Sequence, residues 1–254
     1  MANIVKHGTF TAEAAEKEEQ EIQTSGAFLK LGVGKTTIRV LPPPAGQNLP
    51  WVKTQEHFIK TPGAQRAAIF ACPRVLAKQP CPACAIADKL NSSGNPVDRD
   101  RAWEYRPKMR AYMNVIARKE PEKGVQVLAV GKTILEKMIK IRKDEDAGGD
   151  FTDVVNGFDL IIDRTGTGKN DTEYEVMASR KITPLGDDSW LDQAHDLTRH
   201  TKVRTAAEIQ AELSGEEENV AASGARDVGR GSTGGGQQRR RTAQDDIEDP
   251  VDAT

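Results

Sequence analysis

Cys81-Pro82-Ala83-Cys84 sets two thiols three residues apart behind a proline, so that both can reach one ion from a single tight turn. Cys72 stands nine residues before that pair, and His57 a further fifteen upstream. Three thiolates and one imidazole fill the corners of a tetrahedral zinc and leave no position for water. Such an ion would support the fold without doing chemistry. A Cys-x-x-Cys pair also serves dithiol redox and iron–sulfur chemistry. All three cysteines fall within thirteen residues, and no βαβ pattern precedes them. Both points favour structural Zn2+ on His57, Cys72, Cys81 and Cys84. His7 lies in a polar N-terminal stretch, and His195 and His200 in a late polar segment that reads as helical; a surface role is expected for all three.

A second constellation suits polyanions. Arg99, Arg101, Trp103, Tyr105, Arg106, Lys108, Arg110 and Tyr112 interleave cations and rings, and the positive charge continues through Lys132 and Lys137. Cations follow phosphates while flat rings stack on unpaired bases, so the pattern points to single-stranded nucleic acid. Tyr105 and Tyr112 are the expected stacking rings, whereas Trp51 and Phe158 fit core positions; Phe58, beside His57, suits either role. No helix suited to reading a duplex groove is apparent.

The chain of 254 residues has a formal net charge of only -2, but the charge is polarised. Residues 28–143 hold 22 bases against eight acids, and residues 144–254 hold 12 bases against 25 acids. A local excess of that size repels itself unless a polyanion relieves it. Gly32-Val33-Gly34-Lys35-Thr36-Thr37 imitates the end of a phosphate loop, but the earlier glycine is replaced by Leu29, and a strand and three prolines follow. Gly131-Lys132-Thr133 likewise has Gln126 where glycine is required. No catalytic triad or paired carboxylate stands out, so the expectation is a protein that is not an enzyme. No apolar stretch reaches the roughly 20 residues that span a bilayer, and residues 1–20 lack the order of a signal peptide, so a soluble intracellular protein with no membrane partner is expected.

The elements that must position these groups read as mainly β with short helices. Strands are expected at 37–41, 51–59, 110–117, 124–130, 158–163 and 172–178, and helices at 81–90, 134–141, around Trp190, and at 206–213. Residues 1–27 read as an acidic flexible arm and 28–214 as the core, with a zinc subdomain at about 57–90. Residues 215–254 read as a disordered Gly-rich linker ending in an acidic tail, with five acids between Asp245 and Asp252.

In order and spacing, Phe28-Leu29-Lys30, Thr37 to Pro42, His57, Cys72, Cys81 to Cys84, the Tyr112-Asn114-Val115 strand, Gly131 to Ile134 and the helix after it, and Gly157-Phe158 resemble one known family. It is that of the replicative single-stranded DNA-binding (helix-destabilising) proteins of T-even and related tailed phages. The resemblance implies an OB-fold, a five-stranded barrel with a small zinc-binding subdomain beside the cleft. It also implies sequence-independent coating of exposed strands in phage DNA replication, recombination and repair, in the cytoplasm of an infected bacterium. Replication and recombination proteins would be recruited through the acidic tail, and neighbouring subunits would meet on the DNA. The arm departs from the family pattern: Glu13, Glu16, Glu18, Glu19 and Glu21 oppose only Lys6 and Lys17, where T-even proteins carry a basic arm. A single-stranded RNA-binding translational regulator and an acidic-tailed protein scaffold are the alternative readings.

Overall fold

The computed structural model describes residues 28–60, 67–144, 149–168 and 171–213. The expected acidic arm and acidic tail lie outside the described residues. β-Branched Thr36-Thr37-Ile38 starts a strand that three prolines stop, giving β1 (Gly34–Val40). The phosphate-loop imitation therefore lies in a strand. β2 (Trp51–Ile59) and β3 (Ala68–Ala71) form an antiparallel pair, with His57 opposite Phe70. Next come the single helical turn α1 (Pro73–Leu76), α2 (Pro82–Ser92) and α3 (Pro96–Ala102), each opened by proline at its first position, where no amide donor is required. Asn95 caps α3, its side chain accepting from Val97 N at 3.0 Å.

β4 (Lys108–Ala117) is the hub. It is followed by β5 (Gln126–Val130), the helix α4 (Lys132–Lys143), β6 (Phe158–Thr165) and β7 (Glu173–Ile182). Val115 pairs with both Val40 and Gln126, and Met113 with both Trp51 and Leu128. β1 and β2 thus lie end to end along one edge of β4, with β5 on the other. The result is a seven-stranded antiparallel sheet running β3-β2-β4-β1-β6-β7, with β5 as a branch.

This corrects the expectation of a five-stranded OB barrel. Closure needs a ladder between the first and last strands, and among the described residues β3 and β7 share none. The edges are managed locally instead. Phe28 bridges the outer edge of β5 at Val127, and Val203 bridges β3 at Ala71.

Successive residues of β4 face opposite ways. Ala111, Met113 and Val115 join Trp51, Leu128, Ile134, Leu135, Met138, Phe158 and Leu160 in the main core, so α4 closes that face. A separate cluster holds the three cysteines with Phe70, Ile86, Leu90 and Tyr105, and it also receives Ile209 and Leu213 from the helix 206–213. Trp51 and Phe158 are core residues, as expected. No helix among the described residues is long and apolar enough to cross a membrane.

Candidate functional site

The cysteines are brought together by helix starts. Cys72 precedes Pro73 of α1, and Cys81 precedes Pro82 of α2; both have extended backbones. Lys78 takes a left-handed conformation (φ 57°) and reverses the chain between them. Cys84 lies one turn into α2, on its buried side. The N-terminus of α2 favours thiolate there, because its free amides and dipole attract negative charge.

The ligand atoms of His57, Cys72, Cys81 and Cys84 all lie within 4.8 Å of one another, and all four residues are buried. Zinc bond lengths of about 2.3 Å to sulfur and 2.0 Å to nitrogen imply tetrahedral edges of about 3.8 Å (S–S) and 3.5 Å (S–N). The measured separations are 3.6 Å for Cys72 Sγ to Cys84 Sγ, 3.4 Å for Cys81 Sγ to His57 Nε2 and 3.7 Å for Cys84 Sγ to His57 Nε2. His57 Nδ1 contacts the Tyr105 carbonyl at 2.8 Å. That hydrogen bond places the ring proton on Nδ1 and leaves Nε2 as the donor atom for a metal. The Phe70 ring stacks on the imidazole at 5.0 Å. The residues therefore fit a four-coordinate metal ion.

Proton sharing in the cluster points the same way. Hydrogen bonding with Cys81 and Cys84 pulls the Cys72 thiol below its ordinary pKa, while contacts with Cys72 and Cys81 hold the proton on Cys84. Burial disfavours charge on His57, but contacts with Cys72 and Cys81 outweigh it and push its pKa up to about 9, so a metal binding at Nε2 would displace a proton held there. Three thiols crowded in one buried site cannot all ionise unless a cation joins them.

The basic aromatic segment runs from α3 into β4, and the structure divides its members. Arg99 and Arg101 lie in the last turn of α3. Trp103 is 51% exposed, with the Arg106 guanidinium 4.6 Å from its ring centre and Arg106 Nη2 donating to Asn91 Oδ1 at 3.4 Å. Tyr105, expected to stack on bases, is instead packed beside the cysteines at 3% exposure. Lys108, Arg110 and Tyr112 alternate along one face of β4. Arg110 is buried, with its guanidinium 4.8 Å from the Phe58 ring centre. Tyr112 is also buried, its hydroxyl donating to both oxygens of the buried Glu56 at 2.8 Å. Desolvation raises the pKa of Glu56. Lys132 and Lys137 belong to α4 and hence to the other side of the sheet. Lys132 pairs loosely with Glu136 at 3.9 Å, and Lys137 binds Glu175 at 2.7 Å and the Tyr174 carbonyl.

The two late histidines correct their expected surface role. Asn114 Nδ2 donates to the His195 carbonyl at 3.0 Å, His195 N donates to Asn114 Oδ1 at 3.1 Å, and His195 Nε2 meets the Val125 carbonyl at 2.9 Å. His200 lies flat on Tyr112, the ring centres 3.9 Å apart and the planes 5° from parallel. None of these contacts has a local sequence signal, because the partners are 70 or more residues away in the chain. The Tyr105 carbonyl was equally hidden, since a backbone acceptor leaves no mark in residue types.

Comparison with curated proteins finds no match. Residues 32–215, well over half of the 254, match the family described as gp32 DNA binding protein like, a nucleic-acid-binding rather than enzymatic family. The matched stretch contains all four metal-ligand candidates and the whole basic aromatic segment, and the chain belongs to the gp32 DNA binding protein like family.

Proposed function

We propose that the protein coats single-stranded DNA without regard to sequence, in phage DNA replication, recombination and repair within the infected host. The observation that carries this reading is the exposed Trp103, backed by the Arg106 guanidinium inside a basic segment of a DNA-binding family. A half-exposed indole with a cation over its ring is a ready platform for an unpaired base. Arg99, Arg101 and Lys108 would follow the phosphates on either side, the buried Arg110 would add its charge to the field from within the sheet, Tyr112 would offer a second ring, and Lys132 and Lys137 would extend the field around the edge of the sheet. Tyr105 would support the segment from beneath. The metal is zinc in this reading, chosen because three thiolates and one imidazole in a closed tetrahedron suit it. Bound zinc would tie β2, α1 and α2 together and hold His57 against the Tyr105 carbonyl, and so fix the turn that carries Trp103. The acidic tail would recruit replication and recombination proteins, and neighbouring subunits would meet along the strand.

The test is titration of the purified protein with oligo(dT) across a salt series, beside a matched duplex and a matched RNA. Preference for single-stranded DNA is expected, with log affinity falling by roughly 0.7 per log unit of salt for each phosphate neutralised. Affinity independent of salt would refute the reading. Tighter RNA binding would replace it with a translational regulator.

A further inference from the structure

Tyr112 stands on the face of the sheet opposite the main core, between Val52 of β2 and Ala129 of β5. Tyr112 shares that face with Arg110, Glu56 and Thr54, all buried. The Thr54 hydroxyl has no hydrogen-bond partner among the described residues although Thr54 is only 2% exposed. What covers the face is a short segment, residues 193–203, whose Asp196, Thr198 and Lys202 side chains point to solvent. Its fixed points are the Asn114–His195 pair, the buried Leu197 and the Val203 bridge to β3. His200, between the last two, makes the flat stack on Tyr112, and the Phe28 ring meets its edge at 5.7 Å.

We propose that His200 plugs a base-stacking slot on Tyr112: its imidazole lies on the phenol ring where an unpaired nucleobase would lie, and an incoming base displaces it. The proposal rests on the single-stranded DNA reading above and adds a built-in competitor to it. A parallel stack at this separation is how a base meets an aromatic side chain. Burial, with help from Arg199, keeps the imidazole neutral at physiological pH, so the plug is an uncharged flat ring like a base. Leaving the slot requires the part of the 3-10 turn beyond Leu197 to give and His200 to leave Arg199 Nε and the Phe28 ring, while the Asn114–His195 pair, Leu197 and Val203 hold the segment on either side. The apparent affinity of the slot is then reduced by the fraction of time it is plugged.

The test uses the full chain, oligo(dT) and three variants. His200→Ala should bind about fivefold tighter than the unaltered protein, as removing a competing stack frees the slot. His200→Phe, which keeps a ring on Tyr112, should bind no tighter than the unaltered protein. In a Tyr112→Leu background the gain from His200→Ala should vanish. In the unaltered protein, the His200 ring protons should resonate upfield when free and move downfield as oligo(dT) saturates it. That last measurement stands even if a variant fails to fold. Unmoved His200 resonances at saturation, or a folded His200→Ala that binds no tighter, would overturn the plug while leaving DNA binding intact. Absence of any binding by the unaltered protein would overturn both.

Discussion

Removing the metal should unfold the His/Cys cluster while the main sheet core persists, and the spacing of the ligands gives the size of the effect. A bound ion acts as a cross-link, closing loops of fifteen, nine and three residues between successive ligands. Treated with the chain-entropy relation for cross-links, these closures stabilise by about 3, 2.5 and 1.5 kcal/mol, or about 7 kcal/mol at most together. Total stabilities are typically about 5–15 kcal/mol, so the site holds a large part of what is available. The loss should fall on the second cluster, because Ile86, Leu90, Tyr105, Ile209 and Leu213 pack around the cysteines, whereas the main core contains none of them. Thermal unfolding with and without a chelator, alongside metal content by atomic absorption, measures this. For a chain of this size about 1 kcal/mol corresponds to about 2–4 °C, so a drop of up to about 14–28 °C is expected. Cys81→Ser and Cys84→Ser should reproduce it with most of the metal gone. Full metal content in either variant, or a melting temperature unmoved by a chelator that has stripped the metal, would refute the argument.

Three further outcomes are expected. Trp103→Ala should weaken oligo(dT) binding by about 1–3 kcal/mol, the usual worth of one stacked base, with little change in melting temperature because the indole is half exposed; an unchanged titration would remove Trp103 from the interface. Burial, with Arg199, lowers the pKa of His200 to about 4, so its contribution to stability is complete above the unfolded value of about 6.5 and is lost as pH falls towards 4. Denaturant unfolding should therefore show the protein losing up to about 2 kcal/mol more between pH 7 and pH 5 than His200→Phe does; equal losses would show that His200 titrates normally. Asn95→Ala removes the cap of α3 and should cost about 1 kcal/mol in the same assay, with no change meaning that α3 does not depend on its cap.

The sequence by itself determined what local physics can decide. Trp51–Ile59 was readable as a strand to the residue, because β-branched and aromatic residues (Trp51, Val52, Thr54, Phe58 and Ile59) are concentrated there just after Pro50. The α4 helix was readable from Ile134, Leu135 and Met138 falling on one side. The cluster of His57, Cys72, Cys81 and Cys84 that could hold a metal was readable because coordination demands particular atoms at short spacing, and few other arrangements put three cysteines in thirteen residues. The helix α3 was announced by Asn95-Pro96, a cap and a first-turn proline, but its charged composition hid it among the basic residues. The short β3 was masked by the Cys72-Pro73 break that follows it.

Tertiary structure alone decided how these pieces are shared out. Whether the sheet closes depends on which strands meet across long separations, and strand propensity is the same in a barrel and in an open sheet. Charge and ring counts could name Tyr105, Arg110 and Tyr112 but not their exposure, since that depends on what packs over them. Tyr105 went beneath the surface beside the cysteines, and Tyr112 went under His200. Side chains 88 residues apart come to lie flat on each other only when the sheet and the segment 193–203 are both in place. Such contacts follow from the path of the whole chain, because distance in space between two residues is not encoded in the types of residues beside either of them.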